Sequence, residues 1–293
     1  MRIFTVMSCQ VEKKNPRNYI SALAKGIAIL RTIANAPRPL LLGEIAKSLG
    51  TTTTTAIRLC YTLSELHLIR RDEHKRYHLT PEVLFLGYFQ ICGMKWLDVA
   101  RYYLEQLFND IQELVNLSVL EGPEIRYLIR FKKYTYISYD MRIGNTLPLY
   151  CTSMGRVLMA FGDPKRTKPL LKTMEFKPLT PHTIKNIDEY LMELKTVRAV
   201  GYGISDEDFT LGHRSIAAPI LDKNGYAFAA INIGVPSTRF TREELESKMG
   251  PMILDVASRI SNALQKLDMT EAELYGTAQV TLHLSNRQLM RNS

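Results

Sequence analysis

The stretch Leu42–Leu68, LGEIAKSLGTTTTTAIRLCYTLSELHL, constrains this chain more than any other. Ile45, Ala46 and Leu49 recur at i, i+1 and i+4 and give a first helix one narrow apolar edge. Gly50 follows at once, where the residue past a helix end needs a positive φ that glycine reaches at least cost. A hydroxyl of Thr51 or Thr52 then caps the open N–H groups of a second helix. That helix carries Ala56, Leu59, Cys60, Leu63 and Leu66 on one face, a spacing of 3.6. Its other face presents Thr53, Thr54, Ile57, Arg58 and Tyr61. Short hydroxylated side chains at a helix N-terminus let backbone N–H groups approach phosphates, and they reach base edges in a major groove. The pattern fits a helix-turn-helix whose second helix reads DNA.

The plainer alternative is a helical hairpin in a core, a geometry that imitates a helix-turn-helix well. The next residues favour DNA. Leu68–Arg71 and Arg76–Leu79 are short alternating runs around the polar turn Asp72–Lys75, so they form a β-hairpin. It carries Arg70, Arg71, His74, Lys75 and Arg76 beside the second helix, as the wing of a winged helix does.

Charge points the same way. Residues 1–80 hold 13 Lys+Arg against 5 Asp+Glu, a net +8, whereas the remaining 213 residues hold 25 against 24. Nearly all of the overall +9 therefore sits on the segment with the helix-turn-helix, the footprint of a polyanionic partner. At 293 residues with 46% hydrophobic content, two domains with real cores are expected. No apolar run approaches the ~20 residues of a membrane span. The N-terminal MRIFTVMSCQVEKK lacks the apolar core of a secretory leader, so a cytoplasmic protein is expected. Cys9, Cys60, Cys92 and Cys151 are far apart with no CxxC, which supports neither a metal site nor a disulfide framework.

Taken in order, residues 1–18 are expected to be a flexible arm. Tyr19–Asn35 is an amphipathic helix with Leu23, Ile27, Leu30 and Ile33 as its core stripe, and residues 19–80 make the DNA-binding domain. Thr80-Pro81-Glu82 caps a helix that is apolar on several sides, a linker over 81–96 that suits dimerisation. Trp96–Val115 is a further amphipathic helix, and residues 97–267 make a second domain. Strands follow at Leu117–Glu121, Ile125–Phe131 and Tyr134–Tyr139, and later at Arg214–Leu221 and Tyr226–Val235. Ile187–Val200 is a helix closing at Gly201, and Thr241–Leu267 a long one with Thr241 and Glu244 as a capping box. The tail, 268–293, is weakly patterned.

Several of these stretches together resemble the IclR family of bacterial transcriptional regulators. They are SALAKGIAILRTI with the helix-turn-helix and the wing running into RYHLTPEVLFLG, then LPLYCTSMGRVLMA, then GYGISDEDFTLGHRSIAAPILDKNGYAFAAINIGVPSTRFTREEL. The resemblance covers about residues 20–265. TSMGR with the paired RSIAAPI and AAINIG strands resembles the branch that controls aromatic-acid catabolism, whose regulators respond to protocatechuate or p-hydroxybenzoate. It implies an α+β chain with a winged helix-turn-helix, a linker helix that pairs in a dimer, and a GAF-like α/β effector domain with an antiparallel sheet. It also implies a homodimer or dimer of dimers on a palindromic DNA operator, an RNA polymerase contact if the protein activates, and no cofactor. The family often has a basic residue where Thr53 or Ile57 stands here, so the operator sequence does not carry over.

By position, the resemblance places a small-molecule site at Thr152, Ser153, Met154, Gly155 and Arg156, with Asp206, Ser215, Asn232 and Gly234. The chemistry suits a carboxylate. Thr152 and Ser153 open a helix whose first N–H groups point outward. Gly155 permits close approach, Arg156 offers a charged bond, and Met154 an adaptable wall for a ring. Structural alternatives stand beside these roles: Gly155 for packing, Arg156 in an ion pair with Asp206 or Glu207, and Asn232 satisfying its sheet neighbours. The rival class is an enzyme with Cys151 as nucleophile, His182 or His213 as base, and Asp206 or Asp208 orienting it. No GxSxG elbow or paired carboxylate motif supports it, and an effector domain joined to a basic winged helix needs binding rather than turnover.

Overall fold

The computed structural model describes residues 18–92, 94–133, 141–267, 269 and 273–274. The expected arm up to residue 17, the expected strand Tyr134–Tyr139 and nearly all of the expected tail lie outside the described residues. The chain divides into two compact units, residues 1–91 and 92–293.

The first unit starts with α1 (Ser21–Asn35), followed by the two-residue strand β1 (Leu40–Leu41), α2 (Leu42–Ser48) and α3 (Thr53–Glu65). The wing is β2 (Ile69–Arg71) and β3 (Arg76–Leu79), and α4 (Glu82–Cys92) comes after it. Gly50 ends α2 with φ +59°. The Thr51 N–H donates to Ala46 O and the Gly50 N–H to Lys47 O, the two crossed bonds of a left-handed helix end. His67 closes α3 in the same way without a glycine, at φ +56°. The core is Ile29, Leu30, Ile33, Ile45, Cys60, Leu63, Ile69 and Tyr77.

Two features of this unit correct the sequence reading. The α1 sequence holds two overlapping apolar stripes at helical spacing, and the one that packs on α3 and β3 runs through Ile29 and Ile33. Leu23 and Ile27, expected in the core, are 64% and 45% exposed, whereas Ile29 is 0% exposed. The wing also has a third strand: β1 pairs antiparallel with β3, in the order β1-β3-β2.

The second unit opens with α5 (Lys95–Ile111). It stops before the expected Val115 because Gln112 turns into the left-handed region at φ +55°, and β4 (Leu114–Glu121) begins almost at once. Then come β5 (Glu124–Phe131), β6 (Thr146–Pro148), α6 (Ser153–Phe161), α7 (Pro164–Thr173) and α8 (Ile187–Val200). Next are β7 (Gly203–Asp206), β8 (His213–Leu221), β9 (Ala227–Pro236), α9 (Arg242–Glu244) and α10 (Gly250–Lys266), with a π-turn at Leu245–Met249 joining the last two. Six antiparallel strands lie in the order β6-β5-β4-β9-β8-β7.

Strand alternation gives the sheet two unlike faces. Val115, Leu117, Ile216, Ile231 and Ile233 join α5 and α10 in one apolar core. The opposite face meets α6 and α8 through Met154, Val157, Tyr190, Leu194, Ala217 and Ala230. On that second face the strands also carry buried polar residues: Asn116, Ser118, Ser205, Ser215 and Asn232.

Candidate functional site

In the first unit, α3 buries Ala56, Cys60 and Leu63 and turns Thr53, Thr54, Ile57, Arg58 and Tyr61 outward as one exposed face. Thr52 is the cap: its Oγ1 accepts from the Thr55 N–H at 3.3 Å. Thr51 is half-buried, its N–H committed to the end of α2. Arg70, Arg71 and Lys75 are exposed on the wing, and Lys75 forms the turn at φ +60°. Arg71 stacks over the Tyr77 ring at 5.8 Å. Arg76 is placed differently. Half-buried, it donates from Nη1 to Pro39 O at 3.1 Å and so holds the chain entering β1, where an exposed DNA contact was expected. Asp72 fastens the turn: it accepts from the Arg76 N–H at 2.8 Å and meets His78 Nε2 at 2.6 Å. Those two bonds, His78 first, hold its carboxyl below the usual range.

In the second unit, register brings the carried-over residues together. Across the α6 side of the sheet, Arg130, Asn116, Asn232 and Ala217 form one row of directly paired positions. Leu114, Gly234, Ser215 and Ser205 form the neighbouring row. Arg130 Nη1 donates to Asn116 Oδ1 at 2.9 Å, and Asn116 Nδ2 donates to Asn232 Oδ1 at 2.7 Å. The Ser215 and Ser153 hydroxyls, both buried, are 2.7 Å apart and tie β8 to the start of α6. Ser118 donates to Met154 Sδ at 3.2 Å.

The remaining positions are structurally committed. Thr152 caps α6, accepting from the Gly155 N–H at 3.1 Å. A Cβ on Gly155 would run into the Leu149 backbone, so packing alone demands glycine there. A Cβ on Gly234 would meet His213 Nε2 at 2.8 Å, so the bare backbone makes room for that ring. Arg156 is buried and donates to Ile204 O and to Asp208, with Glu193 at 3.5 Å. Asp206 is the direct cross-strand neighbour of Arg214 and pairs with it. Arg156 and Asp206 thus belong to separate ion pairs. Sequence reasoning missed Asn116, Ser118 and Arg130 as members of this patch. The available signal was polar residues two apart in the otherwise apolar strand LVNLSVLE.

Residues 22–73 match the IclR helix-turn-helix domain, and residues 90–262 match the bacterial transcriptional regulator IclR C-terminal domain. The chain belongs to the IclR family. This IclR-family chain is 32% identical to the Pca regulon regulatory protein of Pseudomonas putida over 243 residues, 83% of each chain. It is 29% identical to the p-hydroxybenzoate hydroxylase transcriptional activator of Acinetobacter baylyi, over 86% of this chain and 94% of that one. Among solved structures it is similar to Thermotoga maritima IclR, with a TM-score of 0.71 and 29% identity over 84% of this chain and 100% of that one. The resemblance to the aromatic-catabolism branch holds. As an IclR-type transcriptional regulator the chain binds DNA through its helix-turn-helix domain.

The enzyme alternative fares poorly in this IclR regulator. Cys151 sits just before α6 but is fully buried, and burial, reinforced by Asp208, pushes its thiol up rather than down. An activated nucleophile needs the opposite shift. His182 lies on the surface beside Glu207 at 3.7 Å. Desolvation, together with the Arg130 charge, pushes His213 down to about 4. No helix among the described residues is long and apolar enough to cross a membrane.

Proposed function

We propose that this regulator binds a palindromic operator as a dimer or dimer of dimers and that a small carboxylic acid, of the aromatic class, controls that binding. The observation that carries the reading is the buried polar patch of Asn116, Asn232, Ser153 and Ser215 on one face of the sheet. Polar groups in such a place cost stability unless they are bonded, and these are bonded to one another in pairs that a ligand with two polar heads can replace. The nine-residue α6 adds its N-terminal N–H groups next to Ser153. The similarity to regulators of the Pca regulon and of p-hydroxybenzoate hydroxylase supports an aromatic acid over other acids.

Thr51–Thr54, Ile57, Arg58 and Tyr61 form the proposed reading face, with Arg70, Arg71 and Lys75 on flanking phosphates. Domain limits of 19–80, 81–96 and 97–267 organise the proposal. In the linker, the exposed Leu84, Phe85 and Leu86 of α4 support dimerisation. The effector shifts operator affinity by its differential affinity for two states and by no more. If the protein activates transcription, RNA polymerase is a further partner.

Thermal unfolding of the full chain against aromatic and short aliphatic acids tests the reading. A ligand at ~100 times its Kd adds roughly 2.7 kcal/mol by mass action. A raised Tm with p-hydroxybenzoate or protocatechuate is the expected result. No shift with any acid overturns the effector assignment, and shifts with small keto acids alone overturn the aromatic class.

A further inference from the structure

We propose that Arg130 and Asn116 are positioning residues that fix the Asn232 amide with its N–H donors toward the effector, so that the site takes a ligand acceptor at that point and rejects a donor. The inference rests on the effector reading above and concerns two positions that the carried-over residues do not include. An Asn side chain carries a donor and an acceptor of nearly equal shape, and only its partners decide which way round it sits. Here the partners leave one choice. Arg130 on β5 donates and never accepts, so the Asn116 atom that it meets at 2.9 Å is Oδ1. The other end of Asn116 is then Nδ2, which donates at 2.7 Å, so the Asn232 atom that receives it is Oδ1. Polarity set by one guanidinium thus passes along three paired positions on β5, β4 and β9. Both asparagines are buried, where turning either amide over would set like groups against each other.

Asn232 Nδ2 ends the relay and donates to no group among the described residues. The next position in the row, Ala217 on β8, carries a methyl and cannot accept. Ser215 is the diagonal neighbour of Asn232 across the β8–β9 pair, with the two Cα atoms roughly 7–8 Å apart. An aromatic ring fits between the Ser153–Ser215 pair at the start of α6 and the Asn232 amide. Of the two polar pairs, the serines give way to the carboxylate of the acid beside the α6 N–H groups. The amides stay bonded to each other and present Nδ2 to the substituent at the far end of the ring. A phenol oxygen accepts from Nδ2. An aromatic amine of the same size brings two N–H groups and a lone pair drawn into the ring, so donor faces donor.

The test compares p-hydroxybenzoate with p-aminobenzoate, which exchanges only the hydroxyl for an amine, by titration calorimetry on the full-length protein. Wild type binds the phenol more tightly by roughly 10- to 100-fold, the factor that follows from leaving a buried donor unmatched. Asn116→Asp offers Arg130 and Asn232 a carboxylate that only accepts. Asn232 then turns Nδ2 to it and Oδ1 to the ligand, and the preference inverts toward the amine. The added charge bears on both acids alike and drops out of their ratio. Asn116→Leu removes the constraint on Asn232, and the two affinities converge. Operator binding without ligand shows that the variants are folded, and a loss of stability alone does not move the ratio. If Asn116→Asp keeps the wild-type preference, the positioning role is overturned while the effector reading stands. A wild-type ratio near one, or one favouring the amine, overturns it without any variant. Failure of wild type to bind either acid overturns both.

Discussion

Ser153 Oγ lies 2.7 Å from Ser215 Oγ, and this buried hydrogen bond ties the first turn of α6 to strand β8. It connects residues that are 62 positions apart in the chain. Each hydroxyl is the other's partner, so losing one exposes the second to the full cost of burial without a bond. Ser153→Ala or Ser215→Ala should each lower stability by about 1–3 kcal/mol in urea unfolding. The double variant should cost less than the sum of the two. Additive losses would mean the hydroxyls do not depend on each other.

Two glycines should respond to alanine in opposite directions. Gly155→Ala drives a methyl into the Leu149 backbone at the start of a buried helix and should destabilise by about 1–3 kcal/mol or more. Gly26→Ala in α1 meets nothing within 4 Å and should stabilise by roughly 0.5–1 kcal/mol through helix propensity. Denaturant midpoints measure both. A neutral Gly155→Ala would show that α6 is free to move away from Leu149.

How much of this was legible in the sequence depends on the range of the interaction. The Gly50 turn, the Thr52 cap and helix α8 at Ile187–Val200 follow from residues within one or two helical turns, and the structure has all three. The α1 face was misread because two apolar stripes overlap and only packing on α3 and β3 chooses between them. Strands β1 and β7, two and four residues long, are too short to show a period. The Asn116–Asn232 bond spans 116 positions and depends on β4 pairing with β9, which no local pattern encodes. The sequence offers Asp206 or Glu207 as ion-pair partners of Arg156, the structural alternative to its effector role. Asp206 is drawn to Arg214 across the sheet, Glu207 turns away at φ +63°, and Asp208 comes back to α6.

The DNA face yields a salt-dependent prediction. Arg58→Ala should weaken operator binding, and Lys75→Ala should weaken it evenly across sequences while reducing the slope of log K against log salt by about 1. Arg76→Ala should act chiefly on stability, since its guanidinium holds Pro39 O. Operator titrations at several salt concentrations separate the three. Unchanged affinity for Arg58→Ala would reject the proposed reading face.

Acid should destabilise the C-terminal domain through His213. Its folded value is depressed to about 4, from an ordinary value near 6.5, by desolvation and by Arg130. Between those values the unfolded chain takes up a proton that the folded ring refuses, so stability falls as pH drops through the window and is full above it. The loss amounts to about 3 kcal/mol in order of magnitude. Arg130→Gln removes one of the two causes and should flatten the profile. A pH-independent Tm between 6.5 and 4 would contradict the assignment.

The central claim is that an acid held in the second domain governs DNA binding by the first. The most direct measurement is the affinity of the full-length protein for its operator at fixed salt, with and without saturating p-hydroxybenzoate or protocatechuate. A change of roughly 5- to 150-fold in either direction is predicted, the range of ordinary allosteric coupling. Affinity that stays the same while the acid demonstrably binds would contradict the account.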